Sequence, residues 1–175
     1  DLHIAGATVS VIQDGNILLA KGYGFSDVEK RTPVDPSSSL FRIGSISKMF
    51  TWISVMQLVS QGKLKLDEDI NHYLKDFKVP ETYPKPITLT DLMTHTPGFE
   101  DLGIGLFAKD ALSLKPLAEI FQTQMPARVR PTGSFASYSN HGTGMAAYFF
   151  KQASGSSFNP SVDRYIIEPL TMTPT

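Results

Sequence analysis

Two runs of apolar and β-branched residues near the start of the chain predict a β-hairpin. They flank Asp14-Gly15 in the stretch IAGATVSVIQDGNILLAKGYG at 4–24. Asp-Gly between two such runs is a strong signal for a tight turn that joins antiparallel strands. We therefore expect strands over 5–12 and 16–24, followed by an irregular connection over 26–39.

From residue 46 onward the apolar residues recur at intervals of three and four, which predicts helices. The first, over 46–61, carries apolar residues on two stripes, so we expect it to be buried over most of its circumference. The other expected helices are one from Asp67 to Leu74, one from a Thr88/Asp91 capping box to His95, one from Ser113 to Gln124, one over 141–153 before Gly155, and one over 157–168 before Pro169. Loops are expected over 98–112 and 125–139. Two strands followed only by helices predict an α/β (α+β) domain, with the hairpin packed on the helices.

Composition narrows the classes of function. The 175 residues are 41% hydrophobic and 19% charged, which fits one globular domain over 1–175. With 16 basic and 17 acidic residues there is no sign of a nucleic-acid partner. No cysteine is present, and the 4 histidines form no His-Glu-x-x-His pattern, so neither a metal nor a cofactor site is predicted. No apolar run reaches the roughly 18 residues of a transmembrane helix.

A serine and a lysine stand three positions apart in Ser45-Ile46-Ser47-Lys48, at the start of the first expected helix. Residues at this spacing share a helix face, so the hydroxyl and the amine can meet. Serine becomes a nucleophile when a neighbour takes its proton, and a lysine does so only in its neutral form. The same spacing recurs in Ser60-Gln61-Gly62-Lys63, across a glycine at the expected helix end. Taken alone the motif is common, and a capping Ser45 with an exposed Lys48 stays an alternative.

A second group of polar residues is Tyr138-Ser139-Asn140, where a loop enters a helix. A phenol can relay a proton when a nearby ammonium lowers its pKa, and an amide can bind a substrate amide. The alternatives are a packing role for Tyr138 and a helix-capping role for Asn140. A Ser–His pair that uses His95 or His141 also stays open.

Together these motifs resemble the serine β-lactamase and penicillin-binding protein superfamily, in its class C-like branch of β-lactamases, esterases and D-amino-acid peptidases. The matching stretches are FRIGSISKMFT at 41–51, LMTHTPGF at 92–99, PTGSFASYSNHGTGMAAY at 131–148 and SGSSFNPSVDRYIIEPLTMT at 154–173. Ser-x-x-Lys is a signature of these enzymes. The resemblance implies that Ser45 is acylated, that Lys48 is its base or proton relay, that Tyr138 assists proton transfer, and that Asn140 contacts the substrate amide. It also implies an exported protein, and a structural role for the His-Thr-Pro-Gly turn at 95–98.

Two features depart from the family pattern. The family closes its site with a Lys/His-Thr/Ser-Gly motif on a late strand, and neither that motif nor the later strands occur in this chain. The chain is therefore expected to be the first part of a longer domain, incomplete at its C-terminus. Its function is expected to be hydrolysis of a β-lactam, a D-amino-acid peptide or a carboxylic ester. The alternative is a noncatalytic fragment or binding module, and association through an unpaired strand edge or with a completing segment stays open.

Overall fold

The computed structural model describes residues 3–100 and 107–172. Two compact units divide the chain: residues up to Ile43 together with Met172 form the first, and Gly44–Thr171 form the second. The expectation of a single domain, and of a hairpin packed on the helices, stays a prediction. Of the loop expected over 98–112, residues 101–106 lie outside the described residues. Among the helices of the described ranges, none combines the length and the apolar character needed to cross a bilayer.

The first unit is a three-stranded antiparallel sheet. Together with the helices that follow it in the chain, this sheet confirms the α/β class. Strand β1 (Gly6–Gln13) pairs with β2 (Asn16–Asp27), and β2 pairs with β3 (Thr32–Pro33). Asp14 and Gly15 connect β1 to β2 with positive φ angles of 51° and 76°, which suits a hairpin turn. The predicted turn is thus confirmed. The short β3 was not predicted, because it includes a proline inside a Ser- and Pro-rich stretch.

The second unit is helical. Its helices are α1 (Ser47–Ser60), α2 (Leu89–Met93), α3 (Leu117–Thr123), α4 (Asn140–Ser154) and α5 (Phe158–Val162), with 3₁₀ turns at Gly44–Ile46, Ile70–His72 and Ala111–Ser113 and a π-helical turn at Asp163–Ile167. They enclose one apolar core that includes Val55, Leu58, Ile70, Leu89, Leu92, Phe99, Phe121, Met145 and Phe149. Because α1 and α4 pack against each other, the first turn of each can bring polar side chains together.

The ends of several helices follow local sequence signals. Thr88 accepts a hydrogen bond from the Asp91 amide, while the Asp91 carboxylate accepts one from the Thr88 amide, so the predicted capping box is confirmed. Gly155, with a φ of 71°, ends α4 as expected.

Other helix starts differ from the prediction. Asp69, not Asp67, caps the turn at 70–72, because the Asp69 carboxylate accepts from the Asn71 amide. The helix expected from Ser113 begins only after Pro116, at Leu117. A proline cannot donate a backbone hydrogen bond, so it fits best just before or at a helix start.

Helix α1 is buried on one side only, so the expected burial over most of its circumference is wrong. Its buried residues are Thr51, Ser54, Val55 and Leu58. On the other side Met49, Ile53 and Met56 are 55%, 38% and 40% exposed. The periodicity correctly indicated two apolar stripes, but only one of them finds core partners within the described residues.

Candidate active site

Ser45 and Lys48 meet where a 3₁₀ turn leads into α1. Ser45 lies in the turn Gly44–Ile46 and is exposed, and the half-buried Lys48 lies in the first turn of α1. The Lys48 Nζ donates a hydrogen bond to Ser45 Oγ over 3.3 Å. The first turn of α1 has no side-chain cap, so the alternative of a helix-capping Ser45 does not describe this structure. The serine hydroxyl is both open to solvent and in contact with an amine.

The start of α4 brings Asn140 to the same lysine. The helix is capped by Ser139, whose Oγ accepts from the Gly142 amide at 3.0 Å. The alternative of a helix-capping Asn140 therefore does not describe this structure, and the Asn140 side chain is available for another contact. Lys48 Nζ donates to Asn140 Oδ1 over 2.6 Å, which is a short hydrogen bond.

This contact fixes the orientation of the Asn140 amide. An ammonium has three donors and no acceptor, so only the amide oxygen can face it. The amide NH₂ group must then point away from Lys48, where it can donate to another molecule. Asn140 thus presents its amide N–H donors to a neighbouring molecule, while its oxygen is bonded to Lys48.

Tyr138 places its ring against the Lys48 ammonium. The Lys48 Nζ lies 4.6 Å from the ring centroid, within cation–π range, and Tyr138 is 48% exposed. The neighbouring Lys48 amine, and then the Ser45 hydroxyl, lower the pKa of Tyr138 below its ordinary value of 10.0. The phenol therefore faces the Ser45–Lys48 pair, and its proton is held more weakly than in a free tyrosine.

The arrangement contains the parts of an activated nucleophile. An exposed hydroxyl is in contact with an amine, and that amine is in contact with an amide oxygen and an aromatic ring. A serine with a proton acceptor at hydrogen-bonding distance can attack a carbonyl carbon and form a covalent intermediate. Within the described residues no group of acidic and histidine side chains could hold a metal ion.

The two histidines considered as partners for Ser45 make other contacts. His141 packs edge-on against Phe99 and Phe121, and burial lowers the pKa of His141 to about 4. Its Nε2 is buried without a hydrogen-bond partner in the described part of the chain. His95 packs on Tyr138 with ring centroids 4.6 Å apart. The structure thus favours Lys48 over either histidine as the neighbour of Ser45.

A separate cleft of about 490 Å³ lies beside the loop at 79–87, with Arg128 among its lining residues. It includes none of the four site residues. The buried Arg128 guanidinium donates to the backbone oxygens of Pro80 and Lys85 and to Thr132, so its contacts serve to hold this loop. Of these two places, the Ser45 site is the one in which a serine hydroxyl contacts a lysine amine.

A serine–lysine pair at the start of one helix, met by a tyrosine and an asparagine at the start of another, defines the β-lactamase and penicillin-binding protein class of folds. The Beta-lactamase family model matches residues 1–175, and the chain belongs to that family.

One curated protein and two solved structures show how the chain compares with longer proteins. Over 177 residues it is 26% identical to Protein flp of Staphylococcus aureus strain N315, covering 99% of this chain and 35% of flp. The octameric penicillin-binding protein homologue from Pyrococcus abyssi superposes with a TM-score of 0.84 and 30% identity, over 97% of this chain and 40% of that one. EstCE1, a hydrolase with promiscuous acyltransferase activity, superposes with a TM-score of 0.82 over 96% of this chain and 47% of its own. At 23% identity the likeness to EstCE1 is one of fold alone.

Proposed function

We propose that this protein is a serine hydrolase that works through an acyl-enzyme on Ser45. The observation that carries the proposal is the contact between Lys48 Nζ and Ser45 Oγ at 3.3 Å on an exposed serine. Membership of the Beta-lactamase family supports it. The substrate is a small molecule or peptide with an amide or ester carbonyl: a β-lactam, a D-amino-acid peptide or a carboxylic ester. Export, which the family resemblance implies, stays a prediction.

The chemistry has two stages. In the first, the Ser45 proton passes to a neutral Lys48 or to a deprotonated Tyr138, and Oγ bonds to the carbonyl carbon. The leaving amine or alcohol departs with a proton returned by that same group. In the second, a water gives up a proton to that same group and bonds to the acyl carbon. The bond between the acyl carbon and Oγ then breaks, the proton returns to Oγ, and the carboxylic acid leaves. The lowered pKa of Tyr138 favours a part for its phenol in these transfers.

Asn140 is proposed to bind the substrate. Because Lys48 holds the amide oxygen, the free NH₂ group is the end that can donate to a substrate carbonyl. An amide that is already oriented loses less freedom on binding than one that must first be ordered.

The full protein is proposed to need more than these residues for turnover. An acyl-transfer site holds the developing oxyanion with two donors, and loss of one donor typically costs about 10²–10³ in turnover. Ser45 can supply its own amide, and the family resemblance places the second donor on the late strand. The chain spans 35% of flp, so we expect hydrolysis by residues 1–175 alone to be near background. Turnover should rise in a protein with the full length of these relatives.

Covalent labelling of the full-length protein tests the proposal. After treatment with penicillin or a fluorophosphonate, intact mass should increase by one adduct, and peptide mapping should place it on Ser45. The Ser45→Ala variant should take up none. Hydrolysis of a chromogenic β-lactam against that of a p-nitrophenyl ester then separates the substrate classes. An unlabelled wild type that still binds penicillin reversibly would instead support the noncatalytic alternative.

A further inference from the structure

His95 makes contacts on both sides of Tyr138. Its carbonyl oxygen accepts from the Ser137 amide at 2.7 Å, and its Nδ1 accepts from the Ser139 amide at 3.2 Å. The imidazole also packs on the Tyr138 ring, with centroids 4.6 Å apart and planes inclined by 35°. The residues before and after Tyr138, and its ring, are thus all held by one histidine.

The backbone of His95 is in an unusual conformation that sets up these contacts. Its φ of 58° lies in the left-handed region, which residues with a Cβ seldom adopt. The residue lies just beyond the C-cap Thr94 of α2, and its amide still bonds to the Leu92 oxygen. The left-handed turn therefore points both the carbonyl and the imidazole of His95 towards the segment at 137–139.

The Nδ1 contact requires a neutral imidazole. A nitrogen that accepts a hydrogen bond carries no proton, so the ring proton is on Nε2. An imidazolium has donors on both nitrogens and would oppose the Ser139 amide. Burial, and then the nearby Lys48 charge, lower the pKa of His95 below 6.5, so the neutral form prevails at pH 7.

The charged and titratable groups around His95 come from three segments. Lys48 lies on α1 and Tyr138 lies in the segment at 137–139, and the Lys48 ammonium contacts the Tyr138 ring. On the helix that precedes His95, the Asp91 carboxylate is directed at Thr88 and Lys85. Protonation of His95 would therefore add a second cation beside Lys48, and no carboxylate of the described residues is bonded to it.

We propose that neutral His95 is a positioning residue, which holds Tyr138 against the Ser45–Lys48 pair and loosens that hold when it is protonated. The effect on turnover rests on the proposed function, because Tyr138 affects the rate only if Ser45 is acylated. The structural effect does not, since it concerns the phenol and its neighbours whether or not a substrate reacts.

Two substitutions separate the contacts of His95. His95→Asn keeps an acceptor at the same bond count from the backbone, suits a left-handed φ and cannot be protonated. His95→Ala removes both acceptor and ring. His72→Asn is the matched control, because His72 is exposed and belongs to a separate turn.

The first readout is the pKa of Tyr138 in the full-length protein, measured by ¹³C-tyrosine NMR and assigned with Tyr138→Phe. We expect the Tyr138 resonance of the wild type to shift at the midpoint of His95 titration. In His95→Ala the Tyr138 pKa should rise towards 10, its ordinary value. His72→Asn should change neither.

The second readout is the rate of Ser45 acylation against pH. We expect the wild type to lose activity as the pH falls through the pKa of His95, because the imidazolium cannot accept from Ser139. His95→Ala should acylate roughly 10²-fold more slowly at pH 7, the cost of a small misplacement in an active site. His95→Asn should keep most of the acylation rate at pH 7, and its rate should not show the loss at low pH that is expected of the wild type.

The outcomes distinguish the two proposals. A Tyr138 pKa that is unchanged in His95→Ala overturns the positioning role. If that variant does not fold, the wild type gives the test. A Tyr138 resonance that does not shift as His95 titrates would also overturn the positioning role. Absence of Ser45 labelling in the wild type, with Tyr138 still responding to His95, would overturn the hydrolase function and leave the positioning contact standing.

Discussion

Helix α1 has a Ser-x-x-Lys sequence at each end, and the two ends differ in structure. At the first, Lys48 donates to Ser45 Oγ at 3.3 Å. At the second, Ser60 Oγ donates instead to the Gln57 backbone oxygen at 2.8 Å. Between Ser60 and Lys63 the chain leaves the helix at Gly62, whose φ is 69°. The spacing thus joins serine to lysine only where the backbone stays helical between them.

The two ends also differ in what the rest of the fold brings to them. The start of α4 supplies Asn140 and Tyr138 to Lys48. Near the other end, Gln57 donates to the backbone oxygen of Tyr165. A motif of four residues therefore becomes a candidate site when a distant segment supplies its second half.

Removal of each serine in turn should give the largest difference between the two ends of α1. We expect Ser45→Ala to abolish covalent labelling of the full-length protein, because no other serine hydroxyl is bonded to Lys48 in the described residues. Ser60→Ala should label as the wild type does. Intact-mass spectrometry after fluorophosphonate treatment measures both, and the reverse pattern would reassign the nucleophile.

Removal of each lysine should have the next largest effect. Lys48→Met removes the amine beside Ser45 and should slow acylation by about 10²–10⁴, the usual contribution of general acid–base catalysis. Lys63→Met should leave the rate unchanged, because Lys63 lies beyond the glycine. The time course of adduct formation gives the rates, and an equal slowing in the two variants would contradict the assignment.

The dependence of the free energy of unfolding on pH should report on His141, which lies in the first turn of α4. Burial lowers the pKa of His141 to about 4, against an ordinary 6.5. The unfolded chain then binds more protons than the folded one in this range, so stability is lost as the pH falls from 6.5 to 4. We expect a loss of up to about 3 kcal/mol from this group.

The variant His141→Phe should remove most of that acid dependence, because phenylalanine fits an aromatic site and cannot be protonated. Denaturant unfolding at several pH values measures it, with His72→Phe as the exposed control. An acid dependence that persists in His141→Phe would show that another group is responsible.

The smallest effect is expected at the glycine between Ser60 and Lys63. A side chain at Gly62 would meet no atom within 4 Å, so only the left-handed backbone opposes it. Gly62→Ala should therefore lower the free energy of unfolding by about 1–2 kcal/mol. Labelling at Ser45 should not change, and a slower labelling would mean that the two ends of α1 are coupled.

Features set by neighbouring residues could be predicted from the sequence. Asp14-Gly15 determines its own turn, and the Thr88/Asp91 capping box needs only residues three apart. The α/β class follows from the change in apolar spacing along the chain. Ser45 and Lys48 share a helical turn, so their contact also depends on local geometry.

Features that depend on distant segments could not be predicted in this way. The burial of α1 was overestimated, because the apolar pattern does not show which stripe finds partners. The role of Ser139 as the cap of α4, which leaves Asn140 to Lys48, needs three-dimensional information. His95 lies 43 positions before Tyr138 in the sequence, so local spacing could not predict their contact.

The electrostatic effect of the Lys48 ammonium on position 45 can be measured with a chemical probe. The chain has no cysteine, so Ser45→Cys would carry its single thiol. A neighbouring cation stabilises a thiolate over a thiol, and the thiolate is the form that alkylating reagents attack. The pH midpoint of iodoacetamide modification would then report the electrostatic potential that Lys48 creates, and adding Lys48→Met would shift that midpoint upward.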